Sequence, residues 1–111
     1  LPAPPGPPLR IGEYDICIPK VETGFHLNIY DEDGAVRVAS FRPLPNGYFP
    51  PAAVRGVSPG DTLVGVNGKC LSFTNFEDTC KLLGTFKNEM VHLRFLKNCL
   101  NAEIRPDMLV V

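Results

Sequence analysis

Long hydrophobic runs are missing from this 111-residue chain, and so is a leader in which basic residues precede an apolar stretch. A membrane-spanning helix needs about 18 or more consecutive apolar residues, and a secretory signal needs such a leader. We therefore expect an intracellular, cytoplasmic protein without direct membrane insertion, recruited to membranes or the cytoskeleton only through partners. The chain begins at Leu1 rather than methionine, and we expect it to be a piece of a longer protein.

The sequence also lacks an excess of charge of either sign. Its 11 Lys and Arg residues are scattered among 12 Asp and Glu residues, for a net charge of −1. Direct binding to nucleic acid or anionic lipid usually needs a basic stripe, so we exclude both as direct partners. The four cysteines never form a C-x-x-C pair, which argues against a zinc or thioredoxin-like site. We expect reduced thiols, no metal and no cofactor. The cysteines are Cys17, Cys70, Cys80 and Cys99.

Enough apolar sequence is present for one folded domain flanked by two tails. The hydrophobic content is 44% and the charged content 21%, as in ordinary globular proteins. We predict a proline-rich linker at residues 1–11, a folded domain at 12–98 and a tail at 99–111. The linker should be extended, because proline fits neither a ladder nor a helix interior. The stretch from Pro4 to Arg10 also matches the proline-x-x-proline-x-basic ligands of SH3 domains, although linker is the preferred interpretation.

Alternating polarity predicts a mainly β domain. It indicates a strand that ends at Pro19, a second from Phe25 to Tyr30 after the glycine of VETGFHLNIYDED, and a third from Ala35 to about Arg42. The turn between the last two is predicted at DEDG, residues 31–34. Later strands are predicted at residues 62–66 and 69–71, joined by the Asn67-Gly68 hairpin turn, and at 91–95.

Two helices complete the predicted fold. A short helical turn is predicted at residues 51–55, where proline is acceptable at the start. The longer helix begins with Thr74 and Glu77 as a capping box, or with Asn75 as a competing cap. Phe76, Cys80 and Leu83 then recur on one helical face. The fold class is α+β and mainly β: a partly open barrel of five to six short strands with one short and one longer helix.

The order of these elements resembles the PDZ family of peptide-recognition modules. The resemblance covers about residues 12 to 98, and its most specific part is GVSPGDTLVGVNGKCL followed by FEDTCKLLGTF. These segments match the family's glycine-aspartate, short strand, asparagine-glycine and groove helix. The resemblance implies a scaffold or adaptor that binds the C-terminal peptides of other proteins by β-strand addition, between the second strand and the longer helix.

The glycine before the second strand is similar to the entrance of the family's carboxylate-binding loop. Burying a carboxylate costs several kcal/mol, to order of magnitude, unless N–H groups that point inward donate hydrogen bonds to it. Because glycine turns freely, we expect the amides of Thr23, Gly24 and Phe25 to converge on the anion, assisted by Lys20. A shifted register stays open, in which the loop is residues 24–27. It would put His26 where positive φ is wanted, and non-glycine residues resist positive φ, so we prefer the first register.

The resemblance also assigns the walls of the peptide site. Phe25, Leu27 and Leu83 surround the ligand's last side chain, and His26 lies beside the penultimate one. Phe76 faces the third-from-last residue, with Cys80 on the same wall. Phenylalanine has no polar atom for a hydroxyl, so the expected ligands are class II-like, with apolar residues at both places. Core packing is the alternative for each residue taken alone. The full predicted set is Thr23, Gly24, Phe25, His26, Leu27, Asn28, Ile29, Phe76, Cys80 and Leu83.

Two alternatives to an adaptor follow from other residues. The tail Leu109-Val110-Val111 has the apolar pattern that the groove is expected to accept. It could fill its own or a neighbour's groove, which would make a regulatory or oligomerisation domain, or it could extend the final strand. Cys80 beside His26 or His92 could form a nucleophile and base, but no orienting third residue or oxyanion motif accompanies them. We therefore expect no catalytic residues and no enzyme.

Overall fold

The computed structural model describes residues 6–72, 74–98 and 109–111, and these form one antiparallel sheet with two helices. The strands follow the order β1-β6-β4-β3-β2-β7 across the sheet, with β5 paired to β4. The mainly β fold with one short and one longer helix is confirmed. In chain order the elements are β1 (Glu13–Pro19), β2 (Leu27–Glu32), β3 (Ala35–Phe41), α1 (Pro51–Val54), β4 (Thr62–Val66), β5 (Lys69–Cys70), α2 (Phe76–Gly84), β6 (Met90–Leu96) and β7 (Leu109–Val110).

Tight turns join the strands where the sequence places asparagine, aspartate and glycine. Asn67 and Gly68 take φ values of 48° and 83°, the left-handed pair that a primed hairpin needs. The β2–β3 turn is shorter than predicted: Glu32 pairs with Ala35, which leaves only Asp33 and Gly34 outside the ladder. The strands therefore run right up to a two-residue turn.

Strand β2 begins at Leu27, two residues later than predicted. Phe25 and His26 precede it in a loop, and His26 takes a φ of 61°, which is incompatible with an extended strand. The alternation of apolar residues continues through this loop, so periodicity alone could not find the true start. A register shift between Asn28 and Ile29 further bends β2 against β3.

Helix α2 is capped by Asn75 rather than by the predicted Thr74 capping box. The Asn75 side chain accepts a hydrogen bond from the Asp78 amide at 2.7 Å. The Thr74 hydroxyl instead donates to the Leu71 carbonyl at 3.0 Å, before the helix starts. Neither helix of the described chain is both long and apolar enough to cross a membrane.

The side of α2 that faces the core differs slightly from the predicted stripe. Thr79 and Leu83 are buried, whereas Phe76 and Cys80 are only half-buried and pack against the edge of the core. The Thr79 hydroxyl is satisfied by the Asn75 carbonyl at 3.0 Å. Phe76 and Cys80 thus lie at the border between core and surface.

A buried carboxylate joins the start of β1, the loop before β4 and the end of β6. Asp61 has 0% exposure and accepts hydrogen bonds from the Tyr14 hydroxyl, the Ser58 amide at 3.0 Å and the Asn98 amide at 3.1 Å. The Lys97 ammonium lies 3.4 Å away and supplies a positive charge. A buried charge with this many donors is well satisfied, so Asp61 fixes the point from which the C-terminal segment departs.

The proline-rich segment contacts the domain in its described part. The Arg94 guanidinium donates to the Pro7 carbonyl at 2.7 Å while forming an ion pair with Asp15. Pro4 and Pro5, which begin the predicted SH3 ligand, and Cys99 lie outside the residues that the structure describes.

Candidate functional site

Side chains of strand β2 and helix α2 pack in the same apolar core, and we call the space between the two elements the groove. At one end the Lys20 ammonium sits 5.6 Å from the Phe25 ring centre and donates to the Leu83 carbonyl at 2.7 Å, which ties the entrance of β2 to the last turn of α2. Further along the groove, Cys80 of α2 packs on the core to which Ile29 of β2 belongs. The entrance of β2 therefore lies near the last turn of α2.

A short strand from the end of the chain pairs with the edge of β2. In the antiparallel ladder of β2 and β7, Val110 lies opposite Asn28, and Leu109 opposite Ile29. The Val111 amide then donates to the Leu27 carbonyl at 2.7 Å. The chain's last three residues therefore continue the sheet at β2 and do not extend β6, which was one of the predicted possibilities.

The Val111 carbonyl oxygen lies at the mouth of the loop before β2. It accepts hydrogen bonds from the amides of Phe25 and Leu27, each at 3.1 Å. The Gly24 amide donates instead to the Val21 carbonyl at 2.9 Å and not to the Val111 oxygen, so its role as a donor to a ligand stays a prediction. The acceptor thus sits in the shifted register, in which residues 24–27 form the loop.

Glycine is still required at position 24, for two physical reasons. Its φ is 103°, a conformation that side chains disfavour. A β-carbon added there would also lie 3.1 Å from the Val111 carbonyl carbon and 3.3 Å from its oxygen. The missing side chain therefore makes room for the strand end that the loop holds.

His26 lies inside the loop and not on its surface. Its side chain is 2% exposed, and its ring is hydrogen-bonded to the Thr23 hydroxyl on one side. On the other side, Nδ1 faces the carbonyls of Arg42 at 3.2 Å and Pro43 at 3.3 Å. The expected contact with a ligand's penultimate side chain does not fit this burial.

The apolar residues predicted for the peptide pocket are brought together. Phe25, Leu27, Ile29 and Leu83 are all buried in the core that lines the groove. Phe76 and Cys80 pack on the same core from α2, and the Val111 side chain, half-buried, packs on it as well. Asn28 does not share this surface, because its amide donates to the Ser40 hydroxyl on β3 at 2.7 Å.

Lys20 holds the groove walls together. Lys20 directly follows β1, its hydrogen bond to Leu83 joins this segment to α2, and its ammonium lies over the Phe25 ring. In the described structure its bond therefore goes to α2 rather than to Val111, and the predicted role of assisting a carboxylate stays a prediction.

The chemistry of Cys80 argues against a nucleophile. Burial raises the pKa of its thiol, with a smaller contribution from the Asp31 carboxylate, whereas a nucleophilic cysteine needs a lowered pKa. The His26 ring is already bonded to other groups. No group of three or more His, Cys, Asp and Glu side chains within the described ranges is placed to hold a metal ion.

Sequence reasoning missed the residues that support the loop from behind. Arg42, just after β3, donates from its backbone to the His26 carbonyl at 2.9 Å and from its side chain to the Thr23 carbonyl. The contact joins residues 16 to 19 positions apart. No local pattern signals it, since only the pairing of β2 with β3 brings these segments together.

No protein-family model and no curated protein matches the chain. Among solved structures it is similar to INAD PDZ3, determined in complex with a TRP channel tail. The TM-score is 0.62 at 18% sequence identity, and the match covers 78% of this chain and 88% of that one. With this likeness and the strand order above, the chain has a PDZ-like fold.

Proposed function

We propose that this chain is a protein–protein interaction module, an adaptor or scaffold domain, that binds C-terminal peptides with an apolar last residue. The ligand adds as a strand to the edge of β2, in the groove beside α2. The single observation that carries the proposal is the β7 pairing, in which β2 bonds an extended segment whose last carbonyl meets the amides of Phe25 and Leu27. Backbone bonds of this kind supply affinity without regard to sequence.

Selectivity then comes from the side chains around the bound strand. The ligand's last side chain is expected beside Phe25, Leu27 and Leu83, a wholly apolar environment. The third-from-last side chain is expected beside Phe76, which offers no hydrogen bond to a hydroxyl. A hydroxyl placed there would lose its water without compensation, so an apolar residue fits better. The footprint is short, and the affinity should be around micromolar.

A second function is favoured by the identity of the segment that occupies β2. It is the chain's own end, residues 109–111, held by three main-chain hydrogen bonds at Val111. The groove would then be regulatory, closed by its own tail or, after exchange, by the tail of a neighbouring copy. Both functions use the edge of β2. They differ only in the bound segment, which is a peptide from another protein in the first and residues 109–111 of the same or a neighbouring copy in the second.

A peptide titration tests the main proposal. The probe is the hexapeptide PDMLVV, which reproduces residues 106–111, with a free or an amidated C-terminus, and the protein is the chain shortened by residues 109–111. We expect micromolar binding of the free acid and about tenfold weaker binding of the amide, because a charged acceptor strengthens the bonds from Phe25 and Leu27. Equal binding of both peptides would refute carboxylate recognition.

The full chain and the chain shortened by residues 109–111 together distinguish a groove closed by its own tail from a groove that holds the tail of a neighbouring copy. A tail bound within one chain leaves a monomer whose mass does not depend on concentration. A tail bound to a neighbour gives dimers or chains that lose mass when residues 109–111 are removed. Light scattering behind size-exclusion chromatography distinguishes the two, and free amides of Phe25 and Leu27 in the full chain would contradict both.

A further inference from the structure

We propose that His26 is a positioning residue of the loop before β2. Its buried ring holds the backbone so that the amides of Phe25 and Leu27 point at the ligand. The inference rests on the proposed function and explains how the loop works without a glycine at its centre. Its basis is the placement of one buried imidazole between two segments that are distant in sequence.

The backbone at His26 creates the donor pair. Its φ of 61° turns the chain between the two donor residues, so that their N–H groups meet one oxygen, that of Val111. A left-handed backbone is strained for a residue that carries a β-carbon. Such a conformation persists only where surrounding contacts hold it, so something must fix the histidine here.

Hydrogen bonds at both nitrogens of the His26 ring hold the residue in this conformation. Nδ1 faces the carbonyl oxygens of Arg42 at 3.2 Å and Pro43 at 3.3 Å. Carbonyls only accept, so Nδ1 carries the proton. In the neutral ring Nε2 is then the acceptor, and the Thr23 hydroxyl donates to it. The geometry therefore selects one tautomer, which is a measurable property.

Two further bonds join the same segments. The Arg42 amide donates to the His26 carbonyl at 2.9 Å, and the Arg42 guanidinium donates to the Thr23 carbonyl. Residues 23–26 are thus fastened to the end of β3 through both backbone and side chain. A glycine at position 26 would adopt the turn more easily but would have no ring to anchor it. Histidine at this position thus adopts a less favourable backbone conformation than glycine would, but its ring fixes the loop to the sheet.

The test compares His26→Gly and Thr23→Val with His92→Thr, which changes the other histidine on β6. Each full chain is titrated with free-acid and amidated PDMLVV, and the ratio of the two affinities is recorded. The chain's own tail competes equally with both peptides, so it cancels from this ratio. We expect His26→Gly to lower the preference for the free acid about tenfold, Thr23→Val about fivefold for one lost hydrogen bond, and His92→Thr to leave it unchanged.

Two measurements besides affinity separate positioning from general stability. Hydrogen exchange at Phe25 and Leu27 should accelerate about tenfold in His26→Gly, while exchange at Ile18, in the β1–β6 ladder, stays constant. The ¹⁵N shifts of the wild-type ring should report a protonated Nδ1 and a bare Nε2. The opposite tautomer, or an acid preference unchanged in both loop variants, overturns this inference alone. If the wild-type chain shows no preference for the free acid, the proposed function fails, and this inference fails with it.

Discussion

Replacing Gly24 by alanine tests whether the loop before β2 holds the end of a ligand. The glycine has a φ of 103°, and an added β-carbon would lie 3.1 Å from the Val111 carbonyl carbon. That separation is tighter than ordinary van der Waals contact. Either the strand end moves outward by a few tenths of an ångström or the loop itself shifts, and both changes lengthen the 3.1 Å bonds from Phe25 and Leu27.

The substitution has two unfavourable effects. One lowers the free energy of unfolding, and the other lowers the affinity for the peptide. The left-handed backbone costs alanine about 1–2 kcal/mol, which lowers the free energy of unfolding whether or not the groove is filled. Weakening the two hydrogen bonds costs about 0.5–1.5 kcal/mol each and is felt only in binding. With roughly 1.4 kcal/mol in total lost from binding, the affinity for the free-acid peptide should fall about tenfold.

Gly56 provides a matched control in the same chain. Its φ is 102°, almost identical to that of Gly24, and no heavy atom lies within 4 Å of its added β-carbon. Gly56→Ala therefore carries the backbone cost without the contact. Both variants are made in the chain shortened by residues 109–111 and compared by urea unfolding and by fluorescence polarisation with labelled PDMLVV. Similar losses of stability but equal peptide affinities would refute the placement of the ligand end beside Gly24.

Three further predictions concern side chains. Phe76→His should move the preferred third-from-last ligand residue from apolar toward Ser or Thr in a C-terminal peptide library, and an unchanged profile would contradict the role of Phe76. Asp61→Asn should lower the free energy of unfolding by about 2–4 kcal/mol in urea, because the amide cannot accept from all the donors around it, whereas Asp31→Asn should cost far less. Cys70 should react with iodoacetamide faster than Cys80 in peptide mapping, since the hydrogen bond with Ser72 lowers the pKa of its thiol while burial raises that of Cys80. Removal of residues 109–111 should speed the reaction of Cys80 but not of Cys70, and equal acceleration of both would indicate general loosening of the fold.

Strands and tight turns were predictable because their signals are local. Alternating residues located β1, β3, β4 and β6 to within one or two positions, and Asn67-Gly68 marked its hairpin. The cap of α2 was harder, because Thr74 and Asn75 are both good caps and adjacent. What decided between them was the Leu71 carbonyl, which engages the Thr74 hydroxyl before the helix begins.

The register of the loop before β2 could not be predicted from local rules. The general reluctance of non-glycine residues to adopt positive φ favoured Gly24 as the central position. In the structure Gly24 and His26 both have positive φ, and the acceptor lies between the amides that flank His26. The deciding contacts come from Arg42 and Pro43, just after β3, which only the folded sheet brings near. Tertiary hydrogen bonds thus overrode a backbone preference of about 1–2 kcal/mol.

Closure of the groove by the chain's own tail would lower the apparent affinity of any outside peptide that competes for β2. Ten residues separate Asn98, held by Asp61, from β7, and ten extended residues span up to about 35 Å, close to the domain's longest extent of 34 Å. A tether of this length gives an effective concentration of about millimolar. With a micromolar intrinsic affinity, the closed form would exceed the open form about a thousandfold, and an outside peptide would bind the full chain about a thousandfold more weakly than the chain lacking residues 109–111. Titration of both proteins with PDMLVV measures this ratio directly. A ratio that stays constant with protein concentration indicates closure within one chain, a ratio that rises with concentration indicates exchange between copies, and a ratio near one would show that the tail does not compete for β2.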